Sequence, residues 1–176
     1  MVMNMETLRL GSKGVYVELL QSVLKTLGFY TGNIDGVFGA RTENVVKYFQ
    51  RQFRLTSDGV VGRSTWQSLM PYINGYTNYT IKRGDSLYSI ARKFSTTVQR
   101  IITANPGITP NNISIGQTII VPFGNIVRTN VSYYFELLQM NINSLKTVYP
   151  FLEVGSIGNS VMGKDLTYIR IGTGPK

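Results

Sequence analysis

Tyr79-Thr80-Ile81-Lys82-Arg83-Gly84-Asp85-Ser86-Leu87-Tyr88-Ser89-Ile90-Ala91 opens a stretch that runs through Ala104-Asn105-Pro106. It closes on Ile115-Gly116-Gln117-Thr118-Ile119-Ile120-Val121-Pro122. Tyr79 and Ile81 alternate with Thr80 and Lys82, the period of a half-buried strand. Gly84 and Asp85 turn the chain, and Asp85 or Ser86 can cap the next helix. Leu87, Ile90, Ala91 and Phe94 recur at the spacing of one apolar helical face. Thr96 or Thr97 can cap a second short helix with Val98, Ile101 and Ile102 facing inward. Pro106 stops that helix, because the residue before a proline is driven out of the helical region. Ile119 and Val121 alternate with Thr118 and Ile120 in a second strand. The order strand, helix, helix, strand predicts an antiparallel pair with two helices covering one face.

These residues resemble the LysM domain over the full length of such a module: Tyr79-Thr80-Ile81, Gly84 to Leu87, Ile90-Ala91, Phe94, Ala104 to Pro106, Ile115 to Gln117, and Ile119 with Val121-Pro122. The resemblance implies a shallow groove for N-acetylated glycans between the loops Gly84–Tyr88 and Asn105–Ile108. The glycan-binding set it implies is Gly84, Asp85, Ser86, Leu87, Tyr88, Asn105, Pro106, Gly107 and Ile108. Backbone N–H and C=O groups would bond the acetamido group, and Leu87, Tyr88, Pro106 and Ile108 would touch the sugar face. The purely structural alternative makes Leu87 core, Asp85 a cap and Pro106 a helix stop.

An internal repeat marks the segment before it. Asp35-Gly36-Val37-Phe38-Gly39-Ala40-Arg41-Thr42 recurs as Asp58-Gly59-Val60-Val61-Gly62-Arg63-Ser64-Thr65, sharing the pattern D-G-V-x-G-x-x-T. Asp-Gly and the second glycine form a tight turn where positive φ is cheap, and the threonine is expected to cap a helix. Val45, Val46, Phe49 and Phe53 follow the first turn at helical spacing; Trp66, Leu69 and Met70 follow the second. Val15, Leu19, Val23 and Leu27 mark an earlier helix, ended by Gly28. The pattern predicts a three-helix bundle over residues 6–73. Leu10-Gly11, Gly14, Val17, Leu20-Gln21, Leu27 to Tyr30, both turns and Phe49-Gln50 resemble the peptidoglycan-binding domain found beside wall hydrolases. The resemblance puts a wall ligand near Asp35, Phe38, Arg41 and Thr42. Asp35 and Asp58 read first as turn residues, and Trp66 and Phe49 as core.

Residues 71–78 form a short polar joint with Pro71 and Gly75 as breakers, and a second joint lies near Phe123-Gly124-Asn125. Beyond it, Tyr134, Leu137, Leu138, Asn141, Ile142 and Leu145 follow a helix period that ends before Pro150. Leu152–Ile157 and Leu166–Ile171 read as two strands around a loop with Gly158 and Gly163. Tyr149-Pro150, Gly155, the run Gly158 to Val161, Gly163-Lys164, and Ile169 with Ile171-Gly172 resemble the opening of zinc carboxypeptidases of the carboxypeptidase A type. A generic helix–hairpin element is the alternative. That family continues into a His-x-x-Glu zinc motif, expected here beyond Lys176. Zinc is therefore expected in a peptidase portion outside this sequence, with no cofactor, metal site or catalytic residue inside it.

The expected fold class is thus α+β and multi-domain: a helical peptidoglycan-binding bundle (1–75), a βααβ LysM module (76–123), and a helix-plus-hairpin fragment of an α/β peptidase domain (124–176).

Composition narrows the chemistry. The chain has 176 residues, 43% of them hydrophobic, with no Cys and no His. Disulfides, thiol chemistry and Ser-His-Asp or Cys-His catalysis are excluded. The first six residues lack a basic region followed by an apolar core, so no signal peptide is visible. No apolar run approaches a membrane span. The net charge of +9 is spread over all three segments. It lacks the clustering of a nucleic-acid stripe and suits a polyanionic matrix. The expected function is non-catalytic binding of peptidoglycan or chitin-type glycan that targets a zinc-dependent peptidoglycan peptidase, with no nucleic-acid or membrane partner. The expected place is the cell wall, spore or extracellular space. Two alternatives are a wall hydrolase working through carboxylates, for which the nine acids show no recognisable pair, and a basic nucleic-acid-binding protein.

Overall fold

The computed structural model describes residues 5–172 apart from 125, 128, 129 and 133. The chain forms two compact units, Met1–Ile73 with Arg128–Tyr134, and Asn74–Val127 with Phe135–Lys176.

The first unit is the expected bundle: α1 (Val15–Thr26), α2 (Ala40–Gln52) and α3 (Arg63–Asn74). Leu19, Leu20, Val23 and Leu24 of α1 are buried with Val46 and Phe49 of α2 and Trp66 and Leu69 of α3. Phe53 stacks on Phe49 with centroids 4.2 Å apart. The two repeated turns are tied down by single bridges, Val37 to Lys13 and Val61 to Leu8. Asn130 and Ser132 lie along α1: Ser132 N donates to Glu18 Oε2 at 2.7 Å, and Ser22 Oγ bonds Asn130 Oδ1 at 3.0 Å.

Thr42 and Thr65 do not cap helices. The first helical bonds run to Gly39 O and Gly62 O, and both threonines sit inside the first turn, buried. Their hydroxyls turn inward because a buried glutamine amide reaches each of them, Gln21 in one repeat and Gln50 in the other.

Helices α1 and α2 end alike. Phe29 N donates to Leu24 O and Leu55 N to Gln50 O, closing the last turn in the same way. The left-handed residue within that closure is Gly28 after α1 and Arg54, at φ 56°, after α2.

The second unit contains β1 (Tyr76–Thr80), α4 (Leu87–Lys93), α5 (Val98–Ala104), β2 (Thr118–Pro122), α6 (Phe135–Val148), β3 (Glu153–Asn159) and β4 (Asp165–Arg170). β1 and β2 pair antiparallel, with Tyr79 opposite Ile119. Tyr79, Ile81, Leu87, Ile90, Ala91, Ile101, Ile108, Ile119 and Val121 form one core. Ser86 and not Asp85 caps α4, in a reciprocal box with Ser89, and Thr97 caps α5.

Residues 124–176 were expected as a separate domain. Instead α6 packs on the LysM module: Val148 and Ile126 share an apolar cluster with Ala104, flanked by Tyr76, Ile120, Leu145 and Tyr149. That contact explains why β1 starts at Tyr76, three residues earlier than its alternation suggested. In α6, Leu138 is exposed, and Met140 and Ser144 take inward positions. β3 and β4 form the expected antiparallel hairpin, Glu153 opposite Arg170, with an irregularity between Ser156 and Asn159. Ile157, Val161, Met162 and Ile171 on or beside it are exposed.

Candidate functional site

The LysM loops contain both scaffold and surface. Leu87 is 0% exposed and Ile108 7%, both within the module's core. Neither side chain is available to a sugar, contrary to the expectation that they touch it. Burial is forced by the module's size: so small a core needs a loop residue to close it. Asn105 is likewise committed. Its Nδ2 donates to Ile101 O and to Ile120 O, each at 2.7 Å, and its Oδ1 accepts from Ile120 N at 2.8 Å. The side chain therefore clasps the end of α5 to β2. Asp85 accepts from Tyr79 Oη and from Lys82 N, both at 2.8 Å on Oδ2. Those bonds, the Lys82 N–H first, hold its carboxyl below the usual carboxylate range. Gly84, Ser86, Tyr88, Pro106 and Gly107 remain exposed, with Tyr88 71% open to solvent. The exposed groups on these two loops are thus one aromatic side chain, one proline, two glycines and Ser86, whose hydroxyl is used in the α4 capping box.

The two repeated turns are built around the glutamines. Gln21 Nε2 donates to Asp35 Oδ1 (2.8 Å), Val37 O (3.1 Å) and Thr42 Oγ1 (3.3 Å), and its Oε1 accepts from the N–H of Asp35 and Gly36. Gln50 repeats this at the second turn: Nε2 to Asp58 Oδ1 (2.9 Å), Val60 O (2.9 Å) and Thr65 Oγ1 (3.2 Å), with Oε1 accepting from Gly59 N (2.9 Å). Both glutamines are buried. The sequence signal for them was a polar residue on an apolar helical stripe, Gln21 between Val17 and Leu24 and Gln50 beyond Val46.

This arrangement revises the first-turn expectation. Phe38 and Thr42 are buried and structural; only Asp35 and Arg41 reach the surface. Asp35 is held low first by the Gln21 amide and then by the Val37 N–H. Asp58 is held low first by the Val60 N–H and then by the Gln50 amide. Asp35, Asp58 and Asp85 are all shifted away from the raised range a general acid needs.

At the second turn a cavity of about 380 Å³ opens, lined by Arg54, Leu55, Asp58, Val60, Arg63 and Ser64 among others. Sequence reading missed it, because it is assembled from the end of α2, the turn and the start of α3. For metals, the described residues hold no group of three or more His, Cys, Asp or Glu that could bind an ion. No helix among them is long and apolar enough to cross a membrane.

Comparison with known proteins finds two family matches along the chain. Residues 13–69 match the family described as "Putative peptidoglycan binding domain", and residues 79–122 match "LysM domain". The chain is 34% identical over 101 residues to N-acetylmuramoyl-L-alanine amidase CwlM of Mycobacterium tuberculosis, covering 49% of this chain and 25% of the relative. It is 45% identical over 65 residues to the spore cortex-lytic enzyme of Bacillus cereus, covering 37% of this chain and 25% of the relative. The chain thus spans about a quarter of the length of these curated relatives. Among solved structures, the SleB N-terminal domain matches at 45% identity and TM-score 0.36, covering 37% of this chain and 89% of that one. The chain carries a peptidoglycan-binding domain followed by a LysM domain.

Proposed function

We propose that this chain is a non-catalytic wall-binding region that holds a zinc-dependent peptidoglycan peptidase against its substrate. The observation that carries the reading is the presence of two different wall-type modules in tandem. Two modest binders on one chain raise each other's effective concentration, so together they hold a polymer more tightly than either alone. In the LysM module the glycan lies against Tyr88 and Pro106 and bonds the backbone of Gly84 to Ser86 and of Gly107. Asp85, Leu87, Asn105 and Ile108 hold those loops in shape. At the first turn of the bundle, Asp35 and Arg41 face the wall.

The peptidase part of the reading rests on the helix and hairpin of residues 135–170, whose exposed apolar side chains suit an edge that further strands extend. Zinc does not fit the residues present, which include neither His nor Cys; its ligands belong to sequence outside this chain. The diffuse positive charge favours an anionic wall over a nucleic acid, and the place of action is the cell wall, spore or extracellular space. The test is co-sedimentation of the purified chain with sacculi and titration with chitin-type oligomers, together with a search of sacculus supernatants for released stem peptides. Retention on sacculi with no release is expected. Full recovery in the supernatant refutes the binding role, and chelator-sensitive peptide release refutes the non-catalytic one.

A further inference from the structure

We propose that the cavity at the second turn of the bundle takes the free carboxylate end of a peptidoglycan stem peptide. The proposal rests on the wall-binding reading above and names the part of the wall this pocket holds.

Two arginines carry it. Arg54 and Arg63 both line the cavity. Neither guanidinium makes a hydrogen bond or ion pair among the described residues, whose three ion pairs involve Lys47, Lys164 and Arg170. A planar guanidinium is the side chain best matched to a carboxylate, which it grips with two parallel N–H donors.

Arg54 is also placed at a conformational cost. It sits at φ 56°, in the left-handed region, at the residue where the matching closure of α1 uses Gly28. Glycine is the unstrained choice at such a helix end. An arginine held there is a strained residue on a cavity wall, the setting in which strain points to function.

The rest of the lining fits a short peptide. Leu55 and Val60 are half-buried apolar walls suited to the methyl groups of alanine. Asp58 spends Oδ1 on Gln50 and on the Val60 N–H, and its Oδ2 has no hydrogen bond among the described residues, leaving an acceptor for a peptide N–H. The first turn of α3 begins at the rim with Arg63 and Ser64, and the leading N–H groups of a helix favour an anion. At about 380 Å³ the cavity lies at the small end of ligand sites, which run from roughly 300 to 1,000 Å³. That is room for a dipeptide end and too little for a glycan strand.

The test titrates the full chain by calorimetry with N-acetyl-D-alanyl-D-alanine, with the same dipeptide amidated at its C-terminus, and with glycerol phosphate. The free acid is expected to bind, the amide at least tenfold more weakly, and the phosphate more weakly than the acid. Arg54→Gly removes the guanidinium and relieves the left-handed residue. It is expected to raise the melting temperature of the bundle while weakening the acid at least tenfold. Arg63→Gln is expected to weaken it as well. Equal binding of acid and amide, or an Arg54→Gly variant that binds as wild type, overturns the assignment; phosphate binding at least as tight as the acid points to a wall phosphate polymer and overturns it too. Sacculus co-sedimentation run in parallel separates the two levels. Retention on sacculi without dipeptide binding sinks the cavity assignment alone, and failure of retention sinks the wall reading with it.

Discussion

Replacing Gln50 by leucine tests the idea that one buried amide organises the second turn. The two side chains are close in size, so packing is nearly kept and the loss is one of hydrogen bonds. Four disappear: those to Asp58, Val60 and Thr65 from Nε2, and that from Gly59 N to Oε1. Thr65 can still donate to Val60 O, already 3.4 Å away. The Gly59 N–H, in a buried residue, is left with no acceptor. An unsatisfied buried donor costs about 1–3 kcal/mol, and each lost bond adds about 1 kcal/mol net. Allowing for the gain from a more apolar side chain, the expected destabilisation is about 2–4 kcal/mol. At roughly 4–8 °C per kcal/mol for a domain of this size, the melting temperature falls by on the order of 10–25 °C.

Trp66, the single tryptophan, is buried in this unit with its indole N–H on Glu6 O at 2.9 Å. Its fluorescence during urea unfolding therefore reads this bundle alone. Gln50→Glu is the sharper companion. One oxygen still accepts from Gly59, but the other faces the Asp58 carboxylate and the Val60 carbonyl. Gln50→Glu should be worse than leucine at pH 7 and recover on acidification as the introduced carboxylate gains a proton. A loss below about 1 kcal/mol for Gln50→Leu, with no pH-dependent difference between the two variants, would refute the hub.

Four further outcomes follow from the LysM module and the hairpin. Ile108→Asp should unfold the module as thoroughly as Ile90→Asp, since both side chains lie in its core and an unpaired buried charge is costly; a folded Ile108→Asp by near-ultraviolet circular dichroism sinks this placement. Asn105→Ala should cost about 2–3 kcal/mol, because it strips the partners from Ile120 N–H and from two carbonyls; denaturant melts that move by less than half of this show the clasp is dispensable. Asp85 has its folded pKa lowered below the ordinary 3.8, so its contribution is complete above that value and fades as pH falls through the lower folded pKa. Thermal melts of wild type and Asp85→Asn should therefore differ at pH 6 and converge toward pH 2, and a constant gap would show that the carboxylate's ionisation is not what matters. As a contrast, breaking the exposed Glu153–Arg170 pair should change stability by no more than about 0.5 kcal/mol.

The elements were legible because their signals are local. The 3.6-residue recurrence of Leu87, Ile90 and Ala91, or of Leu19 and Val23, needs only neighbours along the chain. What escaped was decided by distant partners. Ile108 reads as a loop residue until the strands and helices leave a hole that only it fills. Thr42 and Thr65 look like caps until Gln21 and Gln50, 21 and 15 residues away, draw them inward. Asn105 looks like a groove residue until β2 arrives with an N–H and a carbonyl to satisfy. The cavity escaped for the same reason: Arg54 lies just past the end of α2 and Arg63 opens α3, with the second turn between them. The boundary at residue 124 was drawn just past the end of the LysM resemblance, and a local motif says nothing about Val148 finding Ala104.

The glutamine hubs also set the timescale on which the turns can move. Turn amides ordinarily trade hydrogen for deuterium quickly, because surface loops open without disturbing the core. Here the amides of Gly36 and Gly59 point inward onto carbonyl oxygens of glutamines rooted in α1 and α2. Freeing either means withdrawing a buried side chain from its helix face. Those glycines should exchange with the slowest helical amides and not with the loops around them. The turns are then as rigid as the helices that hold them, and the second offers its visitor a preformed mould and no closing lid. A partner met this way is admitted by fit at first contact, and its dwell time depends on the contacts it makes, with no loop to fold over it.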